Sequence, residues 1–322
     1  MRLTPPSKLR IKQTNTFHSF FGGAEANVAI NLSNYGHETT FLTVLPINDL
    51  GDQALNVLKS SGVDTSYIYR IDERLGIYFY EEGFSVKQPD VLYDRKNSAA
   101  LNLSEKQIEW DSIFSNKDIL HLSGITPALN EKMRIFTLKA VSEAKQRDIT
   151  VSFDFNYRSK LWGIEEAKKV YLQILPYVDI CFLGFKDLKA FFEMDSTSQF
   201  DKEMLKEYYK KISQTYNINY IAGTNRKIIS QSKNELTGFI YHNGYFEESD
   251  RKTFEVLERI GGGDAFASGI LHGVLTSMSI NKTLEFGINS SVLKHMVYGD
   301  YTNFTEEEVE NFIEDNGQDV SR

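Results

Sequence analysis

The chain contains very little cysteine and no long apolar run. Its 322 residues include one cysteine, Cys181, which excludes an internal disulfide and is typical of a reducing compartment. No stretch approaches the roughly 20 apolar residues that a membrane-spanning helix needs. Residues 1–8 lack the apolar core of a secretory signal. We therefore expect a cytoplasmic protein that does not enter a membrane.

Several familiar nucleotide and metal motifs are missing as well. We find no GxxxxGK[ST] phosphate loop, no HRD or DFG segment of the protein kinases, and no GxGxxG turn after a first strand. The six histidines show no HExxH spacing and no cluster, which argues against a structural transition-metal site. The formal net charge of −8 argues against a general nucleic-acid surface. Any nucleotide site must therefore use a loop of another kind.

Strand and helix patterns alternate through most of the chain. Apolar, strand-like runs occur at residues 39–45, 119–122, 150–154, 178–183 and 220–222, and segments with helical periodicity lie between them. This alternation predicts an α/β fold with a mainly parallel sheet flanked by helices. In such folds ligands bind beyond the carboxyl ends of the strands.

Residues 67–101 interrupt this alternation. Aromatic, β-branched and charged residues alternate there with few helix signals, which predicts three short antiparallel strands, the first at about Tyr67. A short strand between Ile11 and Phe17 could join them. We therefore predict two units. The α/β core comprises residues 22–66 and 102–316, and a small β-sheet unit comprises residues 1–21 and 67–101.

The strongest chemical signal is the stretch Gly261-Gly262-Gly263-Asp264, which leads into a predicted helix. Consecutive glycines let the backbone approach a ligand closely, and free N–H groups at a helix start attract anions. A carboxylate beside bound phosphate is suited to taking a proton from an attacking hydroxyl. These residues fit the catalytic turn of a small-molecule kinase. A glycine hinge, with Asp264 as an ordinary helix cap, fits the stretch about as well.

A second glycine pair, Gly22-Gly23, also precedes a predicted helix. Asn27 lies about one turn inside that helix, and its amide could bond hydroxyl groups of a ligand. Tight packing of the helix start against a neighbour is the simpler interpretation of this pair by itself.

Polar residues also cluster after the predicted strand at 150–154 and in the small sheet. Arg158 offers a planar fork suited to carboxylate or phosphate, and its position at the ligand edge favours a binding role over a surface ion pair. Tyr93 and Arg95 share one face of a strand by period two. With Arg74 and Tyr78 they would suit an anionic, hydroxylated molecule, although an exposed face with ordinary charge pairs is the simpler interpretation.

Taken together, these motifs resemble the ribokinase-like (phosphofructokinase-B) sugar kinases over residues 2–314. Gly22-Gly23-Ala24-Glu25-Ala26-Asn27 matches the sugar motif near the family's N-terminus, and Gly261-Gly262-Gly263-Asp264 matches its anion-hole motif. Within the family the chain is most similar to 2-keto-3-deoxygluconate kinases. The segments that carry this similarity are residues 74–79, 93–95 and 154–162.

The resemblance implies ATP-dependent phosphorylation of an acidic sugar, with 2-keto-3-deoxygluconate converted to its 6-phosphate. Asp264 would be the catalytic base, and the glycines before it, Gly261, Gly262 and Gly263, would form the anion hole. Residues implied to bind the sugar are Gly22, Gly23, Asn27, Tyr78, Tyr93, Arg95, Arg158 and Asp300. Residues implied to bind the nucleotide are Asn156, Arg158, Gly223, Thr224, Asn225, Arg226, Gly261, Gly263 and Asn289.

The resemblance also implies cofactors and partners. Mg²⁺ would accompany ATP, held by phosphates and water rather than by a protein cage, and a monovalent cation is a further candidate. The small sheet would be a lid over the sugar. It would also share in the contacts of a homo-oligomer, with a dimer through the lid as the expected form.

Three departures from the family pattern bear on these expectations. The family normally begins with a central strand, and Met1 stands where that strand should finish, so we expect unpaired edges in the buried sheet. The segment Gly184-Phe185-Lys186-Asp187 replaces an Asn-x-x-Glu linked to magnesium, which weakens any direct metal role there. The segment after Gly223 lacks a regular Lys-x-Gly-x-x-Gly loop, so the adenine contacts are not predicted.

Two other functions fit the same residues. A kinase for a neutral ketose such as fructose, or for ribose or a nucleoside, would leave Arg74 and Arg95 without an anionic partner. A non-catalytic sugar- or nucleotide-binding relative would have no use for Asp264 as a base. A kinase that acts on an acidic sugar is therefore the expectation that these residues favour.

Overall fold

The computed structural model describes residues 1–6, 9–83, 87–194, 199–230 and 232–314. Parts of the two predicted units, among them residues 7–8, 84–86 and 315–316, lie outside the described residues. Within the described ranges, no helix is both long enough and apolar enough to span a membrane.

Thirteen strands and eleven α-helices are found in the described residues. The strands are β1 (Arg2–Thr4), β2 (His18–Phe20), β3 (Thr43–Pro46), β4 (Ile68–Ile71), β5 (Ile77–Glu81), β6 (Asp90–Asp94), β7 (Ile119–Ser123), β8 (Thr150–Asp154), β9 (Ile180–Phe182), β10 (Tyr220–Ile228), β11 (Lys233–His242), β12 (Tyr245–Glu248) and β13 (Lys252–Glu255). The helices are α1 (Ala24–Asn34), α2 (Asp49–Ser60), α3 (Trp110–Ile113), α4 (Ile125–Ala128), α5 (Glu131–Lys145), α6 (Ile164–Ile174), α7 (Phe185–Phe191), α8 (Lys202–Tyr216), α9 (Gly262–Leu275), α10 (Ile280–His295) and α11 (Glu306–Glu314).

The large sheet confirms the predicted α/β architecture. Its strand order is β12-β11-β10-β9-β8-β7, with β13 also paired to β11. Strands β7 to β10 run parallel, and β11 to β13 add an antiparallel end. Of β10, only residues 220–222 are predicted from the sequence. The rest of that strand and the antiparallel strands that follow it are not predicted.

Helices cover both faces of the parallel strands. Alternate side chains of β9 point to opposite faces: Cys181 packs in the core cluster that includes Phe136 of α5 and Tyr171 of α6. Phe182 packs in a second cluster with Phe266 of α9, and their ring centroids are 6.4 Å apart. Because both faces are buried, these strands are continuous apolar runs in the sequence. For this reason they could be predicted from the sequence.

The small sheet has the order β2-β1-β5-β6. Its N-terminal strands are β1 and β2, so the single strand predicted between Ile11 and Phe17 is wrong in position. The prediction that residues from Tyr67 onward join this sheet is also wrong, because β4 pairs in parallel with β3. The reason is burial: Tyr69 and Ile71 of β4 pack against the main core cluster, which holds the strand on the α/β side.

Two strand edges face a large cavity. In the described residues β7 ends the large sheet and β3 pairs only with β4. A cavity of about 710 Å³ is lined by residues 43–45 of β3 and 120–122 of β7. Met1 also lines it, and its ammonium donates to the Gly76 carbonyl at 2.8 Å. Burial lowers the pKa of this amino group to about 6. In the described residues, β3 and β7 therefore have no strand partner on the side of the cavity.

An apolar strand placed directly before Met1 is expected to stabilise the fold. An extension of five β-branched apolar residues, the length of β7 and β8, would bury side chains in the cavity and pair with both edges. Burying two such side chains contributes about 3–6 kcal/mol before ordering costs, which corresponds to about 5–10 °C in the unfolding midpoint. Differential scanning calorimetry measures this midpoint. A Gly-Ser extension of equal length is the matched control, and equal midpoints for the two extensions would refute the prediction.

Candidate active site

Segments far apart in the chain meet beyond the carboxyl ends of the parallel strands. The glycine pair before α1 and the glycine turn before α9 are joined by one hydrogen bond. The amide of Asn27 donates to Oδ2 of Asp264 at 2.6 Å across 237 positions of sequence. The backbone N–H of Gly23 in turn donates to Oδ1 of Asn27 at 3.2 Å. The two motifs singled out in the sequence therefore form one site.

The three glycines of the turn have different environments. Gly261 is the residue before α9, with a left-handed φ of +83°. A Cβ added there would lie 1.8 Å from the Asp300 carbonyl oxygen, and one added at Gly262 would lie 2.2 Å from the His295 ring. A Cβ added at Gly263 would meet nothing within 4 Å. The first two glycines are thus required by packing, while the third leaves its backbone open to a ligand.

Asp264 does not cap the helix. The N-cap position is Gly261, and no side chain caps it, so the interpretation of Asp264 as an ordinary cap is wrong. Its carboxylate lies in the first turn of α9, where the N–H groups have no intrahelical acceptors. Burial raises the pKa of Asp264 to about 6, although the Asn27 hydrogen bond and the charge of Arg158 act in the opposite direction. The carboxylate is therefore ionised at neutral pH and able to accept a proton.

Two further carboxylates lie at the same edge of the sheet. Asp154 ends β8 and accepts from the Asn156 N–H at 3.0 Å. Burial, followed by the charges of Asp264 and Asp187, raises its pKa to about 8, and a nearby cation would favour its ionised form. Asp187 accepts from the Gly184 N–H at 2.8 Å, and burial raises its pKa to about 6. Neither residue was chosen from the sequence, although Asp154 stands at a strand end, where ligand sites concentrate.

The carboxylates of Asp154 and Asp187 are suited to a metal ion whose ligands are mainly phosphates and water. In the ranges that the structure covers, no three His, Cys, Asp or Glu side chains come together in a way that could hold a metal ion. A Mg²⁺ ion that is bound through phosphates and water needs only one or two carboxylates nearby. Asp154 and Asp187 meet that requirement, and Asp187 also accepts the Gly184 N–H at the start of α7.

Arg95 lies between two tyrosines of the small sheet. Its guanidinium carbon is 4.4 Å from the ring centroid of Tyr93 and 5.2 Å from that of Tyr78. Arg95, Tyr78 and the Gly22-Gly23 pair line the same cavity. In the part of the chain that is described, Arg95 makes no ion pair with a carboxylate. Its charge is therefore available to an anionic ligand.

Arg74 already has a carboxylate partner, whereas Arg158 is an exposed cation near the catalytic turn. Nη1 and Nη2 of Arg74 each donate to a carboxylate oxygen of Asp94 at 2.6 Å, so the expectation that Arg74 helps to select an anion is wrong. Arg158 is exposed on the loop after β8. Its positive charge partly offsets the burial that raises the pKa of both Asp264 and Asp154. The site thus has two cations, Arg95 and Arg158, on the side of the catalytic turn.

Asp300 is already occupied by protein groups. It is 2 % exposed. Its Oδ1 accepts from Nε of Arg2 at 2.7 Å, and its Oδ2 accepts from the Tyr78 hydroxyl at 3.1 Å. Its Cβ lies 2.7 Å from where a Gly22 Cβ would stand. Asp300 and Tyr78 are therefore hydrogen-bonded to other protein groups, and they are not free to bind the sugar.

The residues predicted for the nucleotide are only partly brought together. Thr224, Asn225 and Arg226 pair with β11 in the part of β10 that extends past its pairing with β9. Gly223 is needed for packing, since an added Cβ would lie 2.2 Å from the Leu183 carbonyl oxygen. Asn156 has a left-handed φ of +36° after β8. Asn289 lies on a different element, α10.

Asn289 is buried inside α10. It is 1 % exposed, and its amide donates to the Glu285 carbonyl of its own helix at 2.7 Å. A buried amide whose donor is already used offers little to a nucleotide base. The predicted role of Asn289 in nucleotide binding therefore stays a prediction.

Comparison with known proteins agrees with this geometry. The family described as "pfkB family carbohydrate kinase" matches residues 2–306. The solved structure of a PfkB family carbohydrate kinase of Listeria grayi has a TM-score of 0.92 and 37 % sequence identity, and the match covers 98 % of this chain and 97 % of that one. The solved structure of 2-dehydro-3-deoxygluconokinase of Thermotoga maritima has a TM-score of 0.94 and 35 % identity, covering 97 % and 96 %.

A curated relative extends the similarity along the whole chain. The 2-dehydro-3-deoxygalactonokinase of Haloferax volcanii is 28 % identical over 322 residues, which is 100 % of this chain and 96 % of that protein.

Proposed function

Because the chain belongs to the pfkB family of carbohydrate kinases, we propose that it transfers the γ-phosphate of ATP to a hydroxyl of an acidic sugar. The proposed substrate is 2-keto-3-deoxygluconate (2-dehydro-3-deoxygluconate), and the product is its 6-phosphate. The observation that carries this proposal is Arg95, a cation without a carboxylate partner in the described residues, in the cavity that Gly22 and Gly23 also line. A neutral sugar would leave this charge unpaired. The names of the similar proteins from Thermotoga maritima and Haloferax volcanii support an acid sugar.

In the proposed mechanism the residues of the turn have separate tasks. Asp264 orients the attacking hydroxyl and takes its proton late in the transfer. Asn27 holds that carboxylate in place through the 2.6 Å hydrogen bond. The free N–H groups at the start of α9, beside the open Gly263, stabilise negative charge on the phosphoryl oxygens. Arg95 and Arg158 bind and orient the substrate carboxylate.

Magnesium and the nucleotide complete the proposal. When bound, Mg²⁺ would neutralise charge on the β- and γ-phosphates. Asp154 and Asp187 are the carboxylates that would hold its water shell, and Thr224 to Arg226 would lie along the nucleotide. A monovalent cation is a further proposal, and it would share this region with the buried side chain of Lys294, whose Cε lies 3.2 Å from a Cβ added at Gly261.

The small sheet is proposed to act as a lid and as a dimer face. Tyr78 on β5 and Arg95 directly after β6 line the cavity, and Arg95 stacks on the ring of Tyr93. On the same strand β6, Leu92 is 56 % exposed. An exposed leucine on a short edge strand is compatible with contact to a second copy of the chain.

An ATP-dependent substrate screen tests the proposed function. ADP release should be measured with 2-keto-3-deoxygluconate, its galactonate epimer, fructose, ribose and adenosine. We expect kcat/KM for an acid sugar to exceed that for each neutral compound by about 10–100-fold, since a charge-assisted hydrogen bond is lost with each. Comparable values for fructose or adenosine would refute the acidic substrate. Absence of ADP release with every compound would favour a non-catalytic binding protein.

A further inference from the structure

Arg2 is a fully buried arginine that joins the small sheet to the core. It lies on β1, and its side chain is 0 % exposed. Its Nε donates to Asp300 at 2.7 Å, and its Nη1 donates to Oε2 of Glu258 at 2.7 Å. The guanidinium carbon also lies 4.2 Å from the centroid of the Phe20 ring, on the neighbouring strand β2. One side chain of the small sheet thus binds two carboxylates of the core.

Both carboxylates are connected to the catalytic turn. The second oxygen of Glu258 accepts from the N–H groups of Arg259 at 3.1 Å and Ile260 at 3.4 Å, the residues directly before Gly261. On the other side, the carbonyl oxygen of Asp300 lies where a Gly261 Cβ would be, at 1.8 Å. The start of the turn is therefore held between two groups that Arg2 keeps together.

Arginine is the residue type that this position requires. Two buried carboxylates repel each other and need a cation between them. The planar guanidinium serves both at once in a fixed geometry, which a lysine ammonium cannot reproduce. Lys294, also buried, is a second positive charge behind Gly261. It donates to the Val297 carbonyl at 3.2 Å, and no hydrogen bond from it to either carboxylate is found in the described residues.

We propose that Arg2 is a positioning residue that sets the shape of the catalytic turn from the small sheet. Arg2 touches no reacting atom; it acts through Glu258 and Asp300. Loss of Arg2 leaves these carboxylates uncompensated, and the N–H groups that Glu258 holds are released. The proposal rests on the proposed function for its kinetic consequence, but its structural consequence can be measured without any activity.

The test compares Arg2→Met with Arg74→Met, which removes an arginine of the same small-sheet unit from an exposed pair with Asp94. Hydrogen exchange with mass spectrometry should show faster exchange, by at least about tenfold, for amides 259–263 in the Arg2 variant. The later turns of α9 should exchange as in the parent. We expect kcat to fall by about 100-fold, because a misplaced catalytic group costs about that much. The KM for ATP should change less than kcat, and Arg74→Met should leave both constants near the parent values.

Two further variants keep the proposal open to refutation if Arg2→Met does not fold. Glu258→Gln keeps the size of the side chain and removes the charge that Arg2 binds, and Arg2→Lys keeps a charge without the fork. Both should give the same local exchange pattern, with the lysine variant closer to the parent. Unchanged exchange of amides 259–263 in any folded variant would overturn the proposal. If the parent chain released no ADP, the proposed function would fail, and the exchange experiment would still decide the role of Arg2.

Discussion

Replacing Asp264 by asparagine is expected to lower kcat by about 10²–10⁴-fold, the usual contribution of a general base. The substitution keeps the shape of the side chain and an oxygen that can still accept from Asn27, so the turn should remain folded. It removes the charge that can take the proton of the attacking hydroxyl. Steady-state ADP release at saturating substrate measures kcat, and isothermal titration calorimetry shows whether ATP still binds.

Asp250→Asn is the matched control for this experiment. Asp250 is exposed between β12 and β13, away from the catalytic turn, and its loss should leave kcat unchanged. Substantial residual activity of the Asp264 variant, above about one tenth of the parent value, would exclude Asp264 as the general base.

The pH dependence of kcat/KM provides a second measure of the same group. Asp264 acts as a base only when ionised, and burial raises its pKa to about 6. Activity should therefore fall about tenfold per pH unit below pH 6, the limb that reports the essential base of the free enzyme. The Asn27 hydrogen bond favours the carboxylate, so Asn27→Leu should raise the pKa and move this limb to higher pH. A limb that stays below pH 5 in the parent would contradict the assignment.

Replacing Arg95 by alanine is expected to raise KM for the acidic sugar by about 10–100-fold, with little effect on a neutral sugar. A charge-assisted hydrogen bond contributes about 1.5–3 kcal/mol, and each 1.4 kcal/mol is about tenfold. Arg95 makes no ion pair with a carboxylate in the described residues, so removing it breaks no buried pair. Parallel measurements of KM and kcat with 2-keto-3-deoxygluconate and with fructose separate the carboxylate contact from general binding.

Two further variants sharpen the Arg95 experiment. Arg74→Ala removes an arginine that already pairs with Asp94, and it should leave both KM values unchanged. Arg95→Lys keeps the charge but loses the planar fork and the stacking on Tyr78 and Tyr93, so its KM should be intermediate. An equal rise of KM for the acidic and the neutral sugar in Arg95→Ala would show that Arg95 does not bind the carboxylate.

The elements that the sequence predicted well are those with strong local signals. The strand at 150–154 was predicted within its observed bounds, because a strand buried on both faces must be apolar along its length. Helix α5 begins after Asn130, whose side chain accepts from the Met133 N–H, and such caps are visible as residue types. The glycine turn was found for the same reason, since three adjacent glycines before an aspartate are rare.

The elements that were missed or misassigned depend on distant partners. Strand β4 has the composition of the small sheet, but its half-buried side chains Tyr69 and Ile71 pack against the core, and it pairs with β3. The antiparallel strands after Gly223 contain mixed polar and apolar residues whose pairing is set by strand register. Period-two patterns do not reveal which sheet a strand joins.

By itself the sequence determined the residue types of the site: the glycines of the turn, Asp264, Asn27 and the arginines. Only the tertiary structure decided what each residue does. It assigned Asn27 to Asp264, Asp300 to Arg2, and Arg74 to Asp94, and it left Arg95 without a carboxylate partner in the described residues. The physical reason is that burial and charge pairing involve groups up to 298 positions apart. Local sequence specifies a side chain, while its partners and its pKa are set by the fold.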